Sequence, residues 1–509
     1  MKDILIDKAR GCLVGGAAGD ALGYAVEFSS LNDIINKYGN SGISSYVLDS
    51  SGTARFSDDT QMTLFTAEGV LSAYADDPDP SLRSILKHME EAYLAWFATQ
   101  TAFQLPLPSS WLSHIKDLWA RRAPGNTCLS ALSALQNGKT AYNDSKGCGA
   151  VMRIAPVGIY YAAHAGQSIK QNSEDIVDMC AKVAAEAARI THHHDLSTLS
   201  SVFVALVIFD CMRTHLIERL AFRSIISRAL TKTIEIVAES KYAEKFIAII
   251  QKSLDLANSS LTDREAIAQL GEGWVAEETV AIALFCVMRH IRDFEGCIVS
   301  AVNHDGDSDS TGAVAGNIIG AILGYTGIPE KFRNNLELLE PILSVADDLA
   351  GVSDARQINE RYVHHRPFGI PEDLTFISHM KFTPENITEL GPDDIFVFGS
   401  NLAGNHAGGA ARIARQKFGA IPGQGVGLQG QSYAIPTMQG GVETIKPYVD
   451  DFIEFASNCD QNTFYVTRIG CGIAGFRDEE IAPLFKDALK LYNVRLPESF
   501  VRILLNSSF

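Results

Sequence analysis

The 509-residue sequence lacks the features that mark a secreted, disulfide-bonded or membrane protein. Its nine cysteines contain no CxxC pair, and an odd, scattered set favours reduced thiols in a cytoplasmic protein. The longest strongly apolar run covers only residues 202–209, whereas about 20 residues are needed to span a bilayer. Charged residues interrupt every apolar stretch near the amino terminus, so a signal peptide is not expected there.

Positive charge is also scarce. The chain has 43 Lys and Arg against 60 Asp and Glu, which gives a formal net charge of −17. This balance disfavours nonspecific binding to nucleic acid or to anionic lipid. With 46% apolar and 20% charged residues, the composition is that of a folded soluble protein, and the length predicts two domains.

The pattern of apolar residues changes along the chain. Residues 1–355 carry alanine-rich amphipathic stretches and few strand-like runs, which predicts a mostly helical domain, with helices at residues 173–189, 200–215 and 276–292. Residues 356–384 contain no long periodic segment and are interpreted as a connector. From residue 385 to 509, short apolar runs alternate with helical stretches, as in an α/β domain with a largely parallel sheet. Strands are predicted here at 394–399, 432–436, 463–469 and 500–505, and helices at 409–418, 442–458 and 478–492.

The most informative segment is Asn303–Gly312, in which three aspartates and three hydroxyl side chains fall within seven residues. So much acid resists burial unless a cation neutralises it or water solvates it. In a loop that enters a helix, Asp307 and Asp309 could converge on one ion. The alternative is a solvated acidic turn that caps the helix.

A second acidic segment, Ser57-Asp58-Asp59-Thr60, precedes another helical pattern. Together the two segments offer four carboxylates and several hydroxyl oxygens, with no cysteine and no obligatory histidine. Mg²⁺, Mn²⁺ and Ca²⁺ prefer such an all-oxygen set, while zinc normally takes nitrogen and sulfur. Two ions about 3.5–4 Å apart could orient and activate a water.

Two further stretches could contribute to the same site. Asp20 and Glu27 are seven residues apart and would share a face of the first helix, where Glu27 is a general base, a substrate clamp or a surface acid at the helix end. The turn Gly147-Cys148-Gly149 opens a helix and could bind an anion through its backbone N–H groups, although most such turns bind nothing.

Other polar residues have plain structural interpretations. Arg153 could strengthen the anion pocket or pair with a structural carboxylate. The three histidines at 192–194 are typical of a partly exposed helix end, and at most one or two of them can face a pocket. Trp274 and Glu277 are interpreted as part of a capped helix that packs the core.

Taken in order, these motifs resemble those of the ADP-ribosylglycohydrolase family, of the dinitrogenase-reductase-activating type. The similar segments are residues 19–27, 56–60, 147–156, 191–192, 273–278 and 301–312, within a resemblance that covers roughly residues 5–350. It implies an all-α domain with a dinuclear Mg²⁺ or Mn²⁺ centre. The ligands implied are Ser57, Asp58 and Asp59 from one side and Asp307, Asp309 and Ser310 from the other. The family usually has Thr in place of the two serines, and the hydroxyl ligand is kept.

The same resemblance implies a substrate site. The substrate-binding residues carried over are Gly147, Cys148, Gly149, Met152 and His192, with the glycine turn on the diphosphate of ADP-ribose and the histidine on its nucleotide or ribose side. Glu27 would sit near the scissile bond. Hydrolysis at the anomeric carbon of the ribose passes through an oxocarbenium-like state. Glu27, Asp58 or Asp59 could manage the proton, and the sequence does not choose among them.

The acceptor to which ADP-ribose is attached is also left open. Some arginine-directed relatives carry an extra acid between the second and third motifs. Residues 96–116 contain no Asp or Glu, which disfavours arginine without excluding it.

The second domain resembles a divergent macrodomain over about 120 residues. Asn401 and the pair Gly408-Gly409 would match its ribose-proximal loop, and the run from Gly470 to Gly475, with Gly472 inside it, would match its phosphate loop. By resemblance, this domain would bind ADP-ribose or hydrolyse a second linkage. The alternative is an α/β scaffold with ordinary tight turns.

The leading prediction is therefore a hydrolase that uses two Mg²⁺ ions, or Mn²⁺, to remove ADP-ribose from modified proteins. One alternative is a non-catalytic ADP-ribose reader or scaffold, and another is a hydrolase of a small ADP-ribose-containing metabolite. The two acidic segments disfavour a scaffold, because a scaffold has no reason to keep so much mutual repulsion. No nucleic-acid or membrane partner is expected, and the sequence does not indicate an oligomeric state.

Overall fold

The structure, a computed structural model, describes residues 2–506 except 102–109, 140, 166–172, 354, 363–381, 385–386, 458, 460–461 and 492. The chain divides into two compact units, Met1–His365 and Arg366–Phe509. The predicted connector at 356–384 lies mostly outside the described residues.

The first unit is helical, as predicted. Its helices are α1 (Lys2–Tyr24), α2 (Leu31–Tyr38), α3 (Asp58–Asp76), α4 (Leu82–Thr101), α5 (Asn126–Gln136), α6 (Ala155–His164), α7 (Ser173–Arg189), α8 (Asp195–Arg213), α9 (Arg219–Ile236), α10 (Ala243–Ala257), α11 (Asp263–Ile267), α12 (Ala276–Arg289), α13 (Phe294–Val302), α14 (Ser308–Leu323), α15 (Glu330–Arg333), α16 (Leu339–Leu349) and α17 (Ala355–Tyr362). Short 3₁₀ helices lie at Leu112–His114, Lys116–Trp119, Cys148–Ala150 and Tyr325–Gly327.

Most differences from the predicted helices concern their ends. α7 has the predicted bounds, whereas α8 begins five residues earlier than expected. It starts at Asp195 because the His194 side chain accepts a hydrogen bond from the Leu196 N–H and so caps the helix there. α12 ends at Arg289, three residues before the predicted end.

α1 and α14 cross at near backbone contact along a row of small residues. A Cβ atom added to Gly19 would lie 2.0 Å from the Gly312 carbonyl oxygen, which only glycine permits. The facing pairs are Gly11–Gly320, Gly15–Gly316, Gly19–Gly312 and Gly23–Ser308. In these pairs the residue number rises along α1 while it falls along α14, so the two helices are antiparallel. The end of α1 therefore lies beside the start of α14.

α8 is long and apolar enough to cross a membrane by length and composition alone. However, 89% of its apolar window is buried inside the first unit, where it packs against α6, α7 and α9. A buried helix of this kind is a core element.

Glu68 on α3 is a buried carboxyl group that accepts hydrogen bonds from the Ser110 hydroxyl at 2.7 Å and the Trp111 N–H at 3.0 Å. Burial raises its pKa from 4.5 to about 7. The unfolded chain then loses its proton at lower pH than the folded one, so this group lowers the free energy of unfolding as pH rises from about 4.5 to about 7.

We expect Glu68→Gln to remove this pH dependence. The difference in free energy of unfolding between variant and wild type should grow in favour of the variant by up to about 3 kcal/mol between pH 4.5 and pH 8. Urea unfolding at several pH values measures it. A difference that stays constant over this range would contradict the assignment.

The second unit is built on a small mixed sheet. Its strands are β1 (Asp394–Ser400), β2 (Gly427–Gln429), β3 (Ser432–Pro436), β4 (Thr463–Val466) and β5 (Val494–Arg495), in the order β2-β3-β1-β4-β5. β1 is parallel to β3 and β4, with Val397 opposite Tyr433, while β2 is an antiparallel edge. The helices are α18 (Gly409–Lys417), α19 (Val442–Ser457), α20 (Asp478–Ile481) and α21 (Glu498–Asn506), with a 3₁₀ helix at Ala482–Lys490.

This architecture is compatible with the predicted α/β domain, although a macrodomain is not established by it. One predicted strand, at residues 500–505, is wrong, because the segment forms α21. Phe500, Val501 and Leu504 are buried at helical spacing, and the Phe500 ring contacts Phe485 at 5.8 Å between centroids. A short apolar run does not by itself distinguish a strand from a buried helix. The predicted helix at 478–492 is interrupted at Pro483, which has no N–H to continue it.

Candidate active site

The two acidic segments meet at one cavity of about 720 Å³ in the first unit. Its walls come from the turn after α1, the starts of α3 and α14, and the segments 121–128, 147–152 and 274. The lining residues are Glu27, Phe28, Asp58, Asp59, Arg121, Ala123, Pro124, Gly125, Asn126, Thr127, Cys128, Gly147, Cys148, Gly149, Met152, His192, Trp274, Asp307, Asp309 and Ser310.

Asp58 and Asp59 form the first turn of α3. Ser57 caps this helix, since its hydroxyl oxygen accepts a hydrogen bond from the Asp59 N–H at 3.2 Å. The buried Asp20 carboxylate fixes the same turn by accepting from the backbone N–H groups of Ser57 at 2.8 Å and Thr60 at 2.9 Å. Asp20 therefore supports the acidic turn from behind.

Arg122 also stabilises the turn that carries Asp58 and Asp59. Its guanidinium donates to the Phe56 carbonyl at 2.8 Å and is paired with the buried carboxylate of Glu337. The Asp58 N–H in turn donates to the Arg122 carbonyl at 3.1 Å. The backbone that presents the two aspartates is thus fixed before any ligand binds.

Asp307, Asp309 and Ser310 occupy the start of α14. Asp307 is the helix cap, and its Oδ1 accepts from the Ser310 N–H at 3.2 Å. The Cys148 thiol donates to Asp307 Oδ2 at 2.9 Å, and burial beside that carboxylate raises the pKa of the thiol, so it stays protonated. Asp305 lies outside the cavity, where its carboxylate accepts from the Leu31 N–H at 2.8 Å.

The cavity concentrates negative charge. Burial, followed by repulsion from Asp309, raises the pKa of Glu27 to about 10 and raises the pKa values of Asp58, Asp59 and Asp307 well above their usual range. Glu27 Oε2 and Asp59 Oδ2 are buried and have no hydrogen-bond partner among the described residues. Such groups cannot all be ionised together unless a cation compensates them.

The donor set fits a hard divalent cation. The aspartates of α3 and α14 line the cavity with carboxylate oxygens, and the unpartnered oxygen of Asp59 has a lone pair to offer. Within the described ranges, however, no three His, Cys, Asp or Glu side chains already stand at metal-ligand spacing. The dinuclear metal centre stays a prediction.

The predicted anion loop, Gly147–Gly149, lines the same cavity, beside Asp307. The Gly147 N–H donates to the Ser145 hydroxyl at 3.4 Å and the Cys148 N–H to the Trp274 carbonyl at 3.3 Å, so both groups already have partners. A Cβ atom added to Gly149 would lie 3.0 Å from the His192 ring. Gly149 therefore lets the ring approach the loop closely.

His192 lines the cavity and is supported by Thr191 and Arg153. Arg153 Nη2 donates to the Thr191 hydroxyl at 2.7 Å, and this hydroxyl lies 2.9 Å from His192 Nδ1. A hydroxyl that accepts from the arginine can donate to Nδ1, and in that arrangement the ring proton lies on Nε2. Burial and the nearby guanidinium lower the pKa of His192 to about 3, so the ring is neutral.

Arg153 and Met152 differ in their roles. Arg153 is fully buried against the Tyr93 ring, 4.2 Å from its centroid, and its guanidinium donates to neutral groups, including the Ala187 carbonyl and the Thr191 hydroxyl. It supports Thr191 from behind and does not line the cavity. Met152 lines it, as the resemblance implies.

Sequence reasoning missed one aromatic pair at this site. Trp274, interpreted as a core residue, is 39% exposed and lines the cavity together with Phe28. Glu277 is buried, but as an ionic group that accepts from the Lys146 and Lys245 ammonium groups at 2.9 Å each. The sequence does offer one indication that Phe28 is near the site, because it directly follows Glu27.

The residues predicted to bind ADP-ribose in the second unit lie beyond the carboxyl ends of β1 and β4. Asn401 follows β1, and its side chain is tied to its own loop, since Oδ1 accepts from the Asn405 N–H at 3.1 Å. Gly408 and Gly409 begin α18, and a Cβ atom on Gly408 would meet the end of the Ile473 side chain at 2.8 Å. Gly470 and Gly472 lie in the loop after β4 that carries Ile473. The glycine loops are thus neighbours, whereas the Asn401 amide is already engaged.

Comparisons with known proteins concern mainly the first unit. A family model described as ADP-ribosylglycohydrolase matches residues 1–359. An uncharacterised protein of Archaeoglobus fulgidus is 26% identical over 67% of this chain and 96% of its own length. The ADP-ribosylhydrolase ARH3 of Bos taurus is 23% identical over 68% of this chain and 92% of its own. The ADP-ribosylarginine hydrolase Tri1 of Serratia proteamaculans is 24% identical over 68% of this chain and 79% of its own.

Proposed function

The chain belongs to the ADP-ribosylglycohydrolase family of glycosidic-bond hydrolases, and on that premise we propose that it removes ADP-ribose from modified proteins with the help of divalent metal ions. Its relatives include proteins named as an ADP-ribosylhydrolase and an ADP-ribosylarginine hydrolase. The observation that carries the proposal is the single cavity in which five carboxylates meet, from the turn after α1 and from the starts of α3 and α14.

The proposed cofactor is a pair of Mg²⁺ ions, for which Mn²⁺ could substitute. The residues proposed to hold them are Ser57, Asp58, Asp59, Asp307, Asp309 and Ser310. When bound, such ions neutralise the carboxylates and act as Lewis acids on the oxygens that they contact.

Glu27 is the group that we propose to carry the proton of the reaction. Its side chain lines the cavity, and its Oε2 is buried without a hydrogen-bond partner among the described residues. Asp58 differs, because its Oδ2 accepts from the Gly125 N–H at 3.3 Å. A carboxyl group with a free oxygen can take a proton from an attacking water or give one to the departing acceptor.

The wall that carries Gly147–Gly149 and His192 is proposed to hold the diphosphate and ribose of the substrate. The neutral His192 ring would donate a hydrogen bond from Nε2 and would contribute no positive charge. Met152, which lines the same cavity, is also proposed to contact the substrate.

The test of this function is incubation of the wild-type protein with peptides that carry ADP-ribose on arginine, serine or aspartate. We expect mass spectrometry to find free ADP-ribose and the unmodified peptide from at least one of them. If no peptide is cleaved but ADP-ribose binds, a reader or scaffold is the better account. If the protein cleaves only free ADP-ribosyl metabolites, it is better described as a metabolite hydrolase.

For the second unit we propose binding of ADP-ribose at the edge of the sheet where β1, β3 and β4 end. The support is the adjacency of Gly408, at the uncapped start of α18, to the loop that carries Ile473. Backbone N–H groups at a helix start can bind phosphate.

Calorimetric titration of the full chain with ADP-ribose should therefore find two sites. Gly408→Glu places a negative charge at the start of α18 and should remove one of them, whereas Gly408→Ala should retain both. A single site in the wild-type protein, or two sites in Gly408→Glu, would show that this edge of the sheet does not bind the ligand.

A further inference from the structure

Phe28 and Trp274 form a stacked pair at the mouth of the cavity, with ring centroids 6.1 Å apart and ring planes at 21°. Both line the cavity, and their exposed fractions are 76% and 39%. They come from segments far apart in the chain. Large aromatic side chains that are exposed beside a polar cavity do not contribute to a hydrophobic core. Such positions are typical of residues that contact a ligand.

Both residues are held by their backbones. Phe28 directly follows Glu27 in a turn closed by the hydrogen bond from the Ser29 N–H to the Val26 carbonyl at 2.8 Å. Trp274 lies beside the glycine loop, because its carbonyl accepts from the Cys148 N–H at 3.3 Å. The pair thus spans the mouth between the Glu27 turn and the glycine loop.

On the proposed hydrolase function, the acceptor side chain belongs to a protein whose bulk stays outside the cavity of about 720 Å³. The acceptor then passes the mouth of the cavity. A bond broken beside Glu27 therefore has its acceptor side pointing outward, past the neighbouring Phe28. The first group of the acceptor to leave the cavity meets the aromatic pair.

The chemistry of this mouth favours one kind of acceptor. Aromatic faces attract cations, and the planar guanidinium group also stacks on them, whereas a hydroxyl or carboxyl acceptor gains neither interaction. Among the lining residues five are carboxylates, and Arg121 is the one cation in that described set. The proposed metal ions would neutralise these carboxylates, so the attraction for a guanidinium group at the mouth comes from the aromatic faces.

We propose that Phe28 and Trp274 are specificity-determining residues that stack on a guanidinium acceptor, so that the preferred substrate is ADP-ribosylated arginine. The assignment rests on the proposed hydrolase function and names the acceptor of that same site. It reverses the expectation drawn from the absence of acid in residues 96–116, because the recognition comes from aromatic rings. Part of that segment, 102–109, lies outside the described residues.

The test compares kcat/KM on matched peptides with ADP-ribose on arginine or on serine. We expect wild type to prefer the arginine peptide, and Phe28→Leu and Trp274→Leu each to lower the arginine-to-serine ratio about tenfold. The change should appear mainly in KM for the arginine peptide. Trp274→Phe, which keeps an aromatic face, should retain most of the ratio. Both side chains are largely outside the core, and circular dichroism checks that the leucine variants fold.

A wild-type preference for serine, or equal losses on both peptides in the leucine variants, would overturn the acceptor assignment and leave the hydrolase function standing. Absence of ADP-ribose release from every peptide would instead overturn the hydrolase function, and the acceptor assignment with it.

Discussion

Asp59→Asn should abolish hydrolysis and, at the same time, raise the melting temperature of the metal-free protein. Asp59 is buried at the start of α3, and its Oδ2 has no hydrogen-bond partner among the described residues. Burial and repulsion from Asp309 and Asp20 penalise its ionised form. An amide of the same shape removes that penalty, which we expect to be worth about 1–2 kcal/mol, or several degrees. The lost carboxylate should cost at least about 10³-fold in rate if it holds a metal ion.

Thermal unfolding with and without Mg²⁺, alongside the peptide assay, measures both effects. Asp305→Asn is the matched control, since Asp305 lies in an acidic segment but outside the cavity. Its melting temperature and its rate should stay close to those of wild type. An Asp59→Asn protein that melts at a lower temperature without metal, or that keeps its activity, would contradict this account of the cavity.

The second large effect concerns the crossing of α1 and α14. A Cβ atom on Gly316 would lie 2.0 Å from the Gly15 carbonyl oxygen and 2.6 Å from its carbon, both of which are backbone atoms that cannot move aside. Gly316→Ala should therefore destabilise the protein by more than about 3 kcal/mol, despite the gain of about 1 kcal/mol in helix propensity. Activity should fall as well, because this crossing sets the distance between the acidic ends of the two helices.

Urea unfolding gives the free energy of unfolding of this variant. Gly125→Ala is the control for stability, since a Cβ atom there would meet nothing within 4 Å and the backbone is ordinary for alanine. Equal stability of the two variants would mean that the glycine row is not needed for close packing.

The acidic segments were recognisable from sequence because their density of carboxylates has few structural uses. The structure adds the side chains that hold the acidic segments in place. Nothing in the sequence shows that Asp20 binds the backbone of the Asp58 turn, or that Arg122 pairs with Glu337, because these contacts join residues far apart in the chain.

The misassignments have local causes. Residues 500–505 were predicted as a strand because a short apolar run fits either a strand or a buried helix, and the packing on Phe485 decides it. β2 and β5, of three and two residues, carry too little pattern to be detected. Apolar character alone does not separate a core side chain from one at the mouth of a cavity, so the sequence predicts Trp274 in the core although the side chain is exposed.

The central claim is that the cavity lined by Asp58, Asp59, Asp307 and Asp309 performs metal-dependent removal of ADP-ribose. The most direct measurement is the rate of ADP-ribose release from the preferred peptide as Mg²⁺ is titrated into chelator-treated wild type, Asp307→Asn and Asp305→Asn. We expect the rate of wild type and Asp305→Asn to rise with Mg²⁺ and that of Asp307→Asn to stay at least about 10³-fold lower at every concentration. Full activity of wild type after chelation, or equal rates for the two variants, would contradict the claim.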